Sequence, residues 1–224
     1  MKPDENIKFI DFHTHHGEGG GDTMVIRNLL AGEKVPESLS PGTFYSAGIH
    51  PWYLTKENCD ELKSALIPAL EHHRVIMVGE AGFDSVRGPS TEIQYDAFIY
   101  QAYLAEQLDK PVVIHTVRLW DVLRKAKKEI NPSVQWIIHG FRGNAKLASD
   151  LVSEGFMVSL GKRGIILEVI EAAGINNILL ETDDSGSSIQ DVYSNFARVS
   201  GIDENEVIAI MKSNFIKLSG KQNF

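Results

Sequence analysis

The sequence predicts an α/β fold, namely a compact, somewhat distorted (β/α)8 barrel. Short runs of apolar, largely β-branched residues alternate along the chain with longer segments of helical periodicity. Because these strands are apolar on both faces, we expect a parallel sheet that helices cover. Eight strand candidates can be counted, although 224 residues make a small barrel beside the roughly 250 that are typical. An open, doubly wound sheet is the alternative.

The first part of the chain is the least regular. An apolar run from Ile7 to Phe12 predicts the first strand, and residues 24–30 predict a short second one. The glycine-rich stretch 17–22 and the proline-containing stretch 33–41 are typical of loops. No clear helix separates the early strands. The strand that starts at Thr43 ends near His50, since Pro51 cannot extend a strand ladder.

From residue 58 onward, strands and helices alternate regularly. A helix is predicted from Asn58 to His73, and another from Thr91 to Leu108, where Thr91 and Gln94 suggest a capping box. No change in composition marks a boundary, so residues 1–224 are predicted to form a single domain. The remaining predicted strands are 74–79, 111–114, 134–138, 156–160 and 177–182, and the remaining helices are 119–130, 143–155, 165–173 and a helical tail over about 189–218.

Composition excludes several classes of protein. The net charge of -8 and the pI of about 5.5 argue against a broad, sequence-independent nucleic-acid binder. Bound cations could still let one pocket hold a nucleic acid. The lone Cys59 excludes a disulfide framework and a thiolate metal cluster. Neither a membrane span nor, in Met1–Lys8, a signal-peptide core is visible. We therefore expect a cytoplasmic protein, with no membrane or obligate protein partner.

Ionisable residues follow the buried apolar runs with unusual regularity. His13 and His15 project from the same side of the first strand, because side chains alternate along a strand. Barrel strands end at one common face, so residues that are distant in sequence would converge there. A buried histidine is more often satisfied by a carbonyl group, but the repetition favours a metal site. The four other residues that follow strands are Glu80, His115, His139 and Asp183.

This set of imidazoles and carboxylates suits divalent ions such as Zn, Mn, Mg, Ni or Fe. Six ligands exceed the needs of one tetrahedral ion. A carboxylate shared between two ions about 3.5–4 Å apart would use them all. The sequence therefore predicts two divalent ions. A non-catalytic metal-binding protein is disfavoured, because structural metal sites are closed whereas this set would leave positions for water.

Six motifs, in order, resemble the TatD family of metal-dependent hydrolases, in the amidohydrolase superfamily. They span residues 9–184 and are 11–15 (DFHTH), 48–51 (GIHP), 79–84 (GEAGFD), 111–115 (PVVIH), 139–143 (HGFRG) and 180–183 (LETD). The resemblance implies a distorted TIM barrel and a metal-dependent nuclease, commonly a 3′–5′ exonuclease acting on DNA.

The resemblance also assigns ligands to each ion. It implies that His13, His15 and Asp183 hold the first ion, that His115 and His139 hold the second, and that Glu80 bridges both. From the ligand types, we expect these ions to be Zn, Mn, Mg or Ni.

Departures from the family pattern affect the loops that face the substrate. The family sequence His-Cys/Ser-Phe-Ser-Gly is here His139-Gly140-Phe141-Arg142-Gly143, and the continuation Asp-Ala/Ser-Pro is Asp183-Asp184-Ser185-Gly186. The predicted metal ligands survive these changes. The expected function is a phosphodiesterase or deoxyribonuclease acting on a DNA end or a small phosphodiester. The alternative is a two-metal hydrolase of a small ester, lactone, amide or aminoacyl substrate.

The predicted catalytic residues are Asp183 and Glu80. Asp183 would take a proton from the attacking water and deliver it to the leaving group. His50 and Arg142 are predicted to bind the substrate. For His50, a role in fixing the turn at Pro51 is equally consistent with the sequence. Arg142 belongs to a set of basic residues after strand ends that could hold a phosphate, the others being Arg118, Lys162 and Arg163.

Overall fold

The computed structural model describes residues 6–218. Most of the segment Met1–Lys8, for which the sequence predicts no signal-peptide core, therefore lies outside the described residues. The strands are β1 (Phe9–Thr14), β2 (Thr23–Leu30), β3 (Thr43–Gly48), β4 (Val75–Asp84), β5 (Val112–Val117), β6 (Trp136–Ile138), β7 (Phe156–Leu160) and β8 (Ile178–Leu180). The α-helices are α1 (Cys59–Glu71), α2 (Thr91–Leu108), α3 (Trp120–Ile130), α4 (Ala145–Ser153), α5 (Leu167–Ala173), α6 (Ile189–Ser200) and α7 (Glu204–Leu218), and a short 3-10 helix covers Ile175–Asn177.

The eight strands form one sheet in which they follow each other in chain order. The ladders β1–β2, β3–β4, β4–β5 and β7–β8 are parallel. A parallel bridge between Thr14 and Asp183 joins the first strand to the segment after the last one. A doubly wound sheet would instead reverse its strand order at a switch point. The predicted (β/α)8 barrel is therefore confirmed, and the open-sheet alternative is wrong.

Several details differ from the sequence prediction. β4 continues to Asp84, so Glu80 lies inside this strand rather than after it. The helical tail consists of two helices, because Gly201 ends α6 in the left-handed conformation. The capping box at Thr91 is wrong: Ser90 precedes α2 without a side-chain cap, and the Gln94 side chain binds the backbone of Asp84 and Pro89 instead. Within the described residues, no helix lies between β1 and β3, as predicted.

The chain groups into two compact units. Unit 1 comprises the described residues of Met1–Arg27, Leu39–Phe44 and Ile137–Phe224, and unit 2 comprises Asn28–Ser38 and Tyr45–Trp136. The single-domain organisation of residues 1–224 stays a prediction.

Each unit has its own cluster of packed aromatic side chains. In unit 1, the Tyr193 ring meets Phe9 edge-on at 5.2 Å between ring centroids, and the Ile10 backbone N–H donates to the tyrosine hydroxyl. In unit 2, Phe98 packs against Phe83 and Trp136, with ring centroids 4.8 and 5.2 Å apart. These clusters hold the strands from which the candidate site residues project.

Candidate metal sites

In unit 1, the structure brings His13, His15 and Asp183 together. The Nε2 atoms of His15 and His13 lie 3.6 and 3.9 Å from Asp183 Oδ1, and one ligand atom from each residue falls within 4.8 Å of the others. His13 is buried, whereas a quarter of the Asp183 side chain is exposed. These are the three residues that the family resemblance assigns to the first ion.

Hydrogen bonds between β1 and residues 182–183, which follow β8, position Asp183, and we call this set of bonds the latch. The Asp183 backbone N–H donates to the His13 carbonyl at 2.9 Å, and Asp183 adopts a left-handed conformation with φ 53°. The neighbouring Thr182 donates its N–H and its hydroxyl to the two carboxylate oxygens of Asp11, at 2.9 and 2.5 Å. Burial raises the pKa of Asp11 to about 7, although the hydrogen bonds from Thr182 oppose the shift. Asp11 and Thr182 therefore restrain the backbone beside a predicted ligand.

A second group in unit 1 consists of His139, Glu181 and Asp183. His139 follows β6 directly, and its ring centroid lies 4.4 Å from that of His13. Glu181 is fully buried; its Oε1 accepts the Gly140 N–H at 2.6 Å and lies 3.8 Å from His139 Nδ1. Burial raises the pKa of Glu181, but the nearby imidazoles and hydrogen bonds outweigh that effect and lower it.

Glu181 is a site residue that the sequence reasoning missed. It follows the buried strand β8 directly, which is the same signal that pointed to the other ligands. The sequence prediction extended that strand to Thr182 and so treated Glu181 as part of the sheet.

In unit 2, Glu80, His115 and His50 form a buried group. Glu80 Oε1 lies 2.8 Å from His115 Nδ1 and 3.0 Å from His50 Nε2. The Asn28 side-chain oxygen accepts the Glu80 backbone N–H at 2.8 Å and so helps to position Glu80. Gln101 holds the chain before His50, where its side-chain oxygen accepts the Ile49 N–H. The three side chains offer ligand atoms within 4.8 Å of one another.

His50 thus lies among potential ligands rather than in an open pocket. Only 5% of this residue is exposed, and its Nδ1 accepts the Trp52 N–H. Its predicted role in substrate binding stays a prediction, as does the grouping of His139 with His115 and Glu80 around one ion.

Asp84, at the end of β4, holds the other side of the His115 ring. Its Oδ2 lies 3.0 Å from His115 Nε2 and accepts the Trp52 indole N–H at 2.6 Å. Its Oδ1 accepts the backbone N–H groups of Val86 and Arg87. Burial raises the pKa of Asp84, but these hydrogen bonds outweigh it and the pKa falls to about 2. A carboxylate behind a ligating histidine fixes the tautomer and the orientation of the ring.

Arg142 lines a pocket of unit 1 with a volume of about 460 Å³. Asp183 and Glu181 line the same pocket, so the predicted substrate-binding arginine faces a cavity that contains a predicted ligand. Its side chain is exposed to solvent.

All three of these groups fit a divalent ion. They offer imidazole nitrogens and carboxylate oxygens, the donor types that borderline and hard divalent ions accept. Most of these ionisable side chains are buried or half-buried, and burying several ionisable groups in one place is costly unless a partner compensates.

Comparison with known proteins identifies the family. The sequence model described as "TatD related DNase" matches residues 26–220. The chain belongs to the TatD family. The matched region begins after His13 and His15, so their assignment depends on the motif and on the geometry of unit 1.

Individual TatD relatives agree with this assignment. The "uncharacterized metal-dependent hydrolase YjjV" of Escherichia coli is 30% identical over 149 residues, which is 62% of this chain and 57% of that protein. The human "3'-5' RNA nuclease TATDN2" is 27% identical over 173 residues, which is 72% of this chain and 22% of that protein. The chain thus spans less than two thirds of either relative.

A solved structure of a TatD homologue supports the fold. The crystal structure of YjjV from Escherichia coli matches with a TM-score of 0.76 at 19% identity, over 95% of this chain and 98% of that one. Within residues 6–218, no helix is both long and apolar enough to cross a lipid bilayer.

Proposed function

We propose that this chain is a divalent-metal-dependent hydrolase that cleaves phosphodiester bonds at nucleic-acid ends. The observation that carries the proposal is the convergence of imidazole and carboxylate groups in both units, at the residues that the TatD motifs predict. The names of relatives as metal-dependent hydrolases and as a 3'-5' RNA nuclease support the same class of reaction. Two ions, a nucleic-acid substrate and a cytoplasmic location are parts of this proposal.

The residues divide the work as follows. His13, His15 and Asp183 would bind one ion, and His115 and Glu80 would be two of the ligands of a second ion. Bound divalent ions would supply a water of lowered pKa and an electrophile for the phosphoryl oxygen.

Two carboxylates have distinct tasks. Asp183 is the proton carrier, because its partly exposed side chain can exchange a proton with the attacking water and then with the leaving oxygen. Glu80 is almost completely buried between His50 and His115, so it is placed to orient ligands rather than to exchange protons with solvent.

The test combines metal analysis with turnover. The purified chain is analysed for bound metal, loaded with Mg, Mn or Zn, and assayed on single-stranded DNA, RNA, small phosphodiesters and carboxylic esters. We expect cleavage of phosphodiesters that is lost on chelation. Cleavage of carboxylic esters alone would overturn the phosphodiesterase proposal in favour of the small-substrate alternative.

Variants separate metal binding from folding. His13→Ala should reduce bound metal and activity, whereas His73→Ala, an exposed histidine at the end of α1 outside every candidate group, should change neither. Glu80→Gln tests the predicted bridging role, since a bridging ligand is needed for both ions. A Glu80→Gln variant that still binds two ions would contradict that role.

A further inference from the structure

The pocket of unit 1 beside Asp183 contains an unusual concentration of positive charge. Arg142 comes from the segment after β6, and Lys162 and Arg163 come from the segment after β7. All three line the same 460 Å³ pocket in a protein whose net charge is -8. Three cations gathered in one pocket of an acidic protein point to an anionic ligand.

No carboxylate of the described chain neutralises these three side chains. Among residues 6–218, none of the three side chains has a hydrogen bond, an ion pair or a ring contact. The carboxylates of the pocket have other partners: Glu181 accepts the Gly140 N–H, Asp183 faces two imidazoles, and Asp184 lies 3.5 Å from His16 Nε2. The three cations therefore remain available to a ligand.

The backbone fixes the separation of the two segments. The Phe141 N–H donates to the Ser159 carbonyl at 3.0 Å, and the Gly164 N–H closes a turn onto Gly161 at 2.8 Å. A Cβ at Gly164 would clash with the Phe141 carbonyl oxygen, so only glycine permits this close approach. The cations thus project from two loops that are packed directly against each other.

We propose that this pocket binds a phosphate monoester on the terminal nucleotide of the substrate, next to the bond that is hydrolysed. A phosphate monoester offers three acceptor oxygens and close to two negative charges, which two guanidinium forks and an ammonium group match. Small-ligand pockets are about 300–1,000 Å³, so this one accommodates a nucleotide-sized group rather than a long duplex. The inference rests on the proposed function, because it places the phosphate beside the same hydrolytic site.

The experiment uses two matched substrates with the metal-loaded chain: the p-nitrophenyl ester of thymidine 5′-phosphate, and the same compound with an added 3′-phosphate. The test variant is R142Q/K162Q/R163Q. The control variant, K34Q/K56Q/K128Q, removes the same charge from exposed positions outside the pocket.

We expect the 3′-phosphate to lower KM by roughly tenfold to a hundredfold, as three partly exposed ion pairs would give. The preference should disappear in the test variant and persist in the control variant. Equal KM values for the two substrates in the unmodified chain, or an unchanged preference in the test variant, would overturn the proposal.

A binding measurement separates this proposal from the proposed function. Isothermal titration of the metal-free chain with thymidine 3′,5′-bisphosphate, and with thymidine as the comparison, reports the pocket without turnover. Bisphosphate binding that the test variant loses, in a chain that hydrolyses neither ester, would support the pocket and refute the hydrolase. Hydrolysis of both esters without any bisphosphate binding would refute the pocket and leave the hydrolase standing.

Discussion

Replacing Asp84 by asparagine should weaken metal binding through the tautomer of His115. Asp84 Oδ1 accepts two N–H groups of the backbone, which cannot rotate away as side chains can, so an asparagine would place its carbonyl oxygen there. Its NH2 group would then face the Trp52 indole N–H and His115 Nε2, both of which lie against a carboxylate oxygen in the native chain. The ring would have to accept at Nε2 and carry its proton on Nδ1, the atom 2.8 Å from Glu80. A protonated Nδ1 cannot bind a metal.

The expected loss is about tenfold to a hundredfold in metal affinity, the usual effect of removing a partner behind a ligating histidine. That corresponds to about 1.4–2.7 kcal/mol. Isothermal titration with Zn or Mn measures it, and nitrogen-detected imidazole NMR of the zinc-loaded protein reports which ring nitrogen of His115 carries the proton. Urea unfolding verifies that the variant is folded.

Trp52→Phe is the matched control. It removes the indole N–H that donates to Asp84 Oδ2 but leaves the carboxylate facing His115. We expect a smaller loss of metal affinity and an unchanged tautomer. The reasoning would be refuted if Asp84→Asn bound metal as tightly as the native chain, if its His115 kept the proton on Nε2, or if Trp52→Phe lost as much affinity.

Three further predictions concern the latch and the packing in unit 1 and the aromatic cluster of unit 2. Thr182→Val should cost about 1–3 kcal/mol of stability in urea unfolding, because the buried Asp11 loses its hydroxyl donor. The control is Thr91→Val at an exposed position, and equal losses of stability in the two variants would contradict the role of the latch. Gly164→Ala should cost about 1–3 kcal/mol from overpacking against the Phe141 carbonyl. Urea unfolding measures this loss, and Gly186→Ala, where a Cβ meets nothing within 4 Å, should be neutral in the same measurement. Phe98→Ala should destabilise unit 2 by about 3–5 kcal/mol by leaving a cavity beside Trp136, whereas the exposed Tyr103→Ala on the same helix should stay within about 0.5 kcal/mol.

The predicted ligands were accessible from sequence because their signal is local. Each follows or ends an apolar run, and strand periodicity alone puts His13 and His15 on one side. The alternation of strands and helices likewise predicts the barrel. This pattern can be recognised in the sequence without knowing which side chains are in contact. The family motifs then assign these residues to the two predicted ions without any knowledge of interatomic distances.

The partners of these residues were not accessible in the same way. Asp84 has four donors, and only two of them, from Val86 and Arg87, come from its own turn. Gln94, interpreted as a helix cap, uses its amide to hold the Asp84 backbone because α2 packs against that strand end. The local sequence pattern could not distinguish a hydrogen bond from the Gln94 amide to the start of its own helix from a hydrogen bond to the backbone of a distant strand.

The sequence by itself determined the fold class, the family and most of the ionisable residues beside the strands, although not Glu181. Only the tertiary structure decided how those residues are grouped: His50 against Glu80, Glu181 beside His139, and Asp11 bound to Thr182 across 171 positions of the chain. The physical reason is that strand propensity and burial are properties of short segments. A hydrogen-bond partner, by contrast, depends on which segments the closed sheet makes neighbours, and no local pattern encodes that.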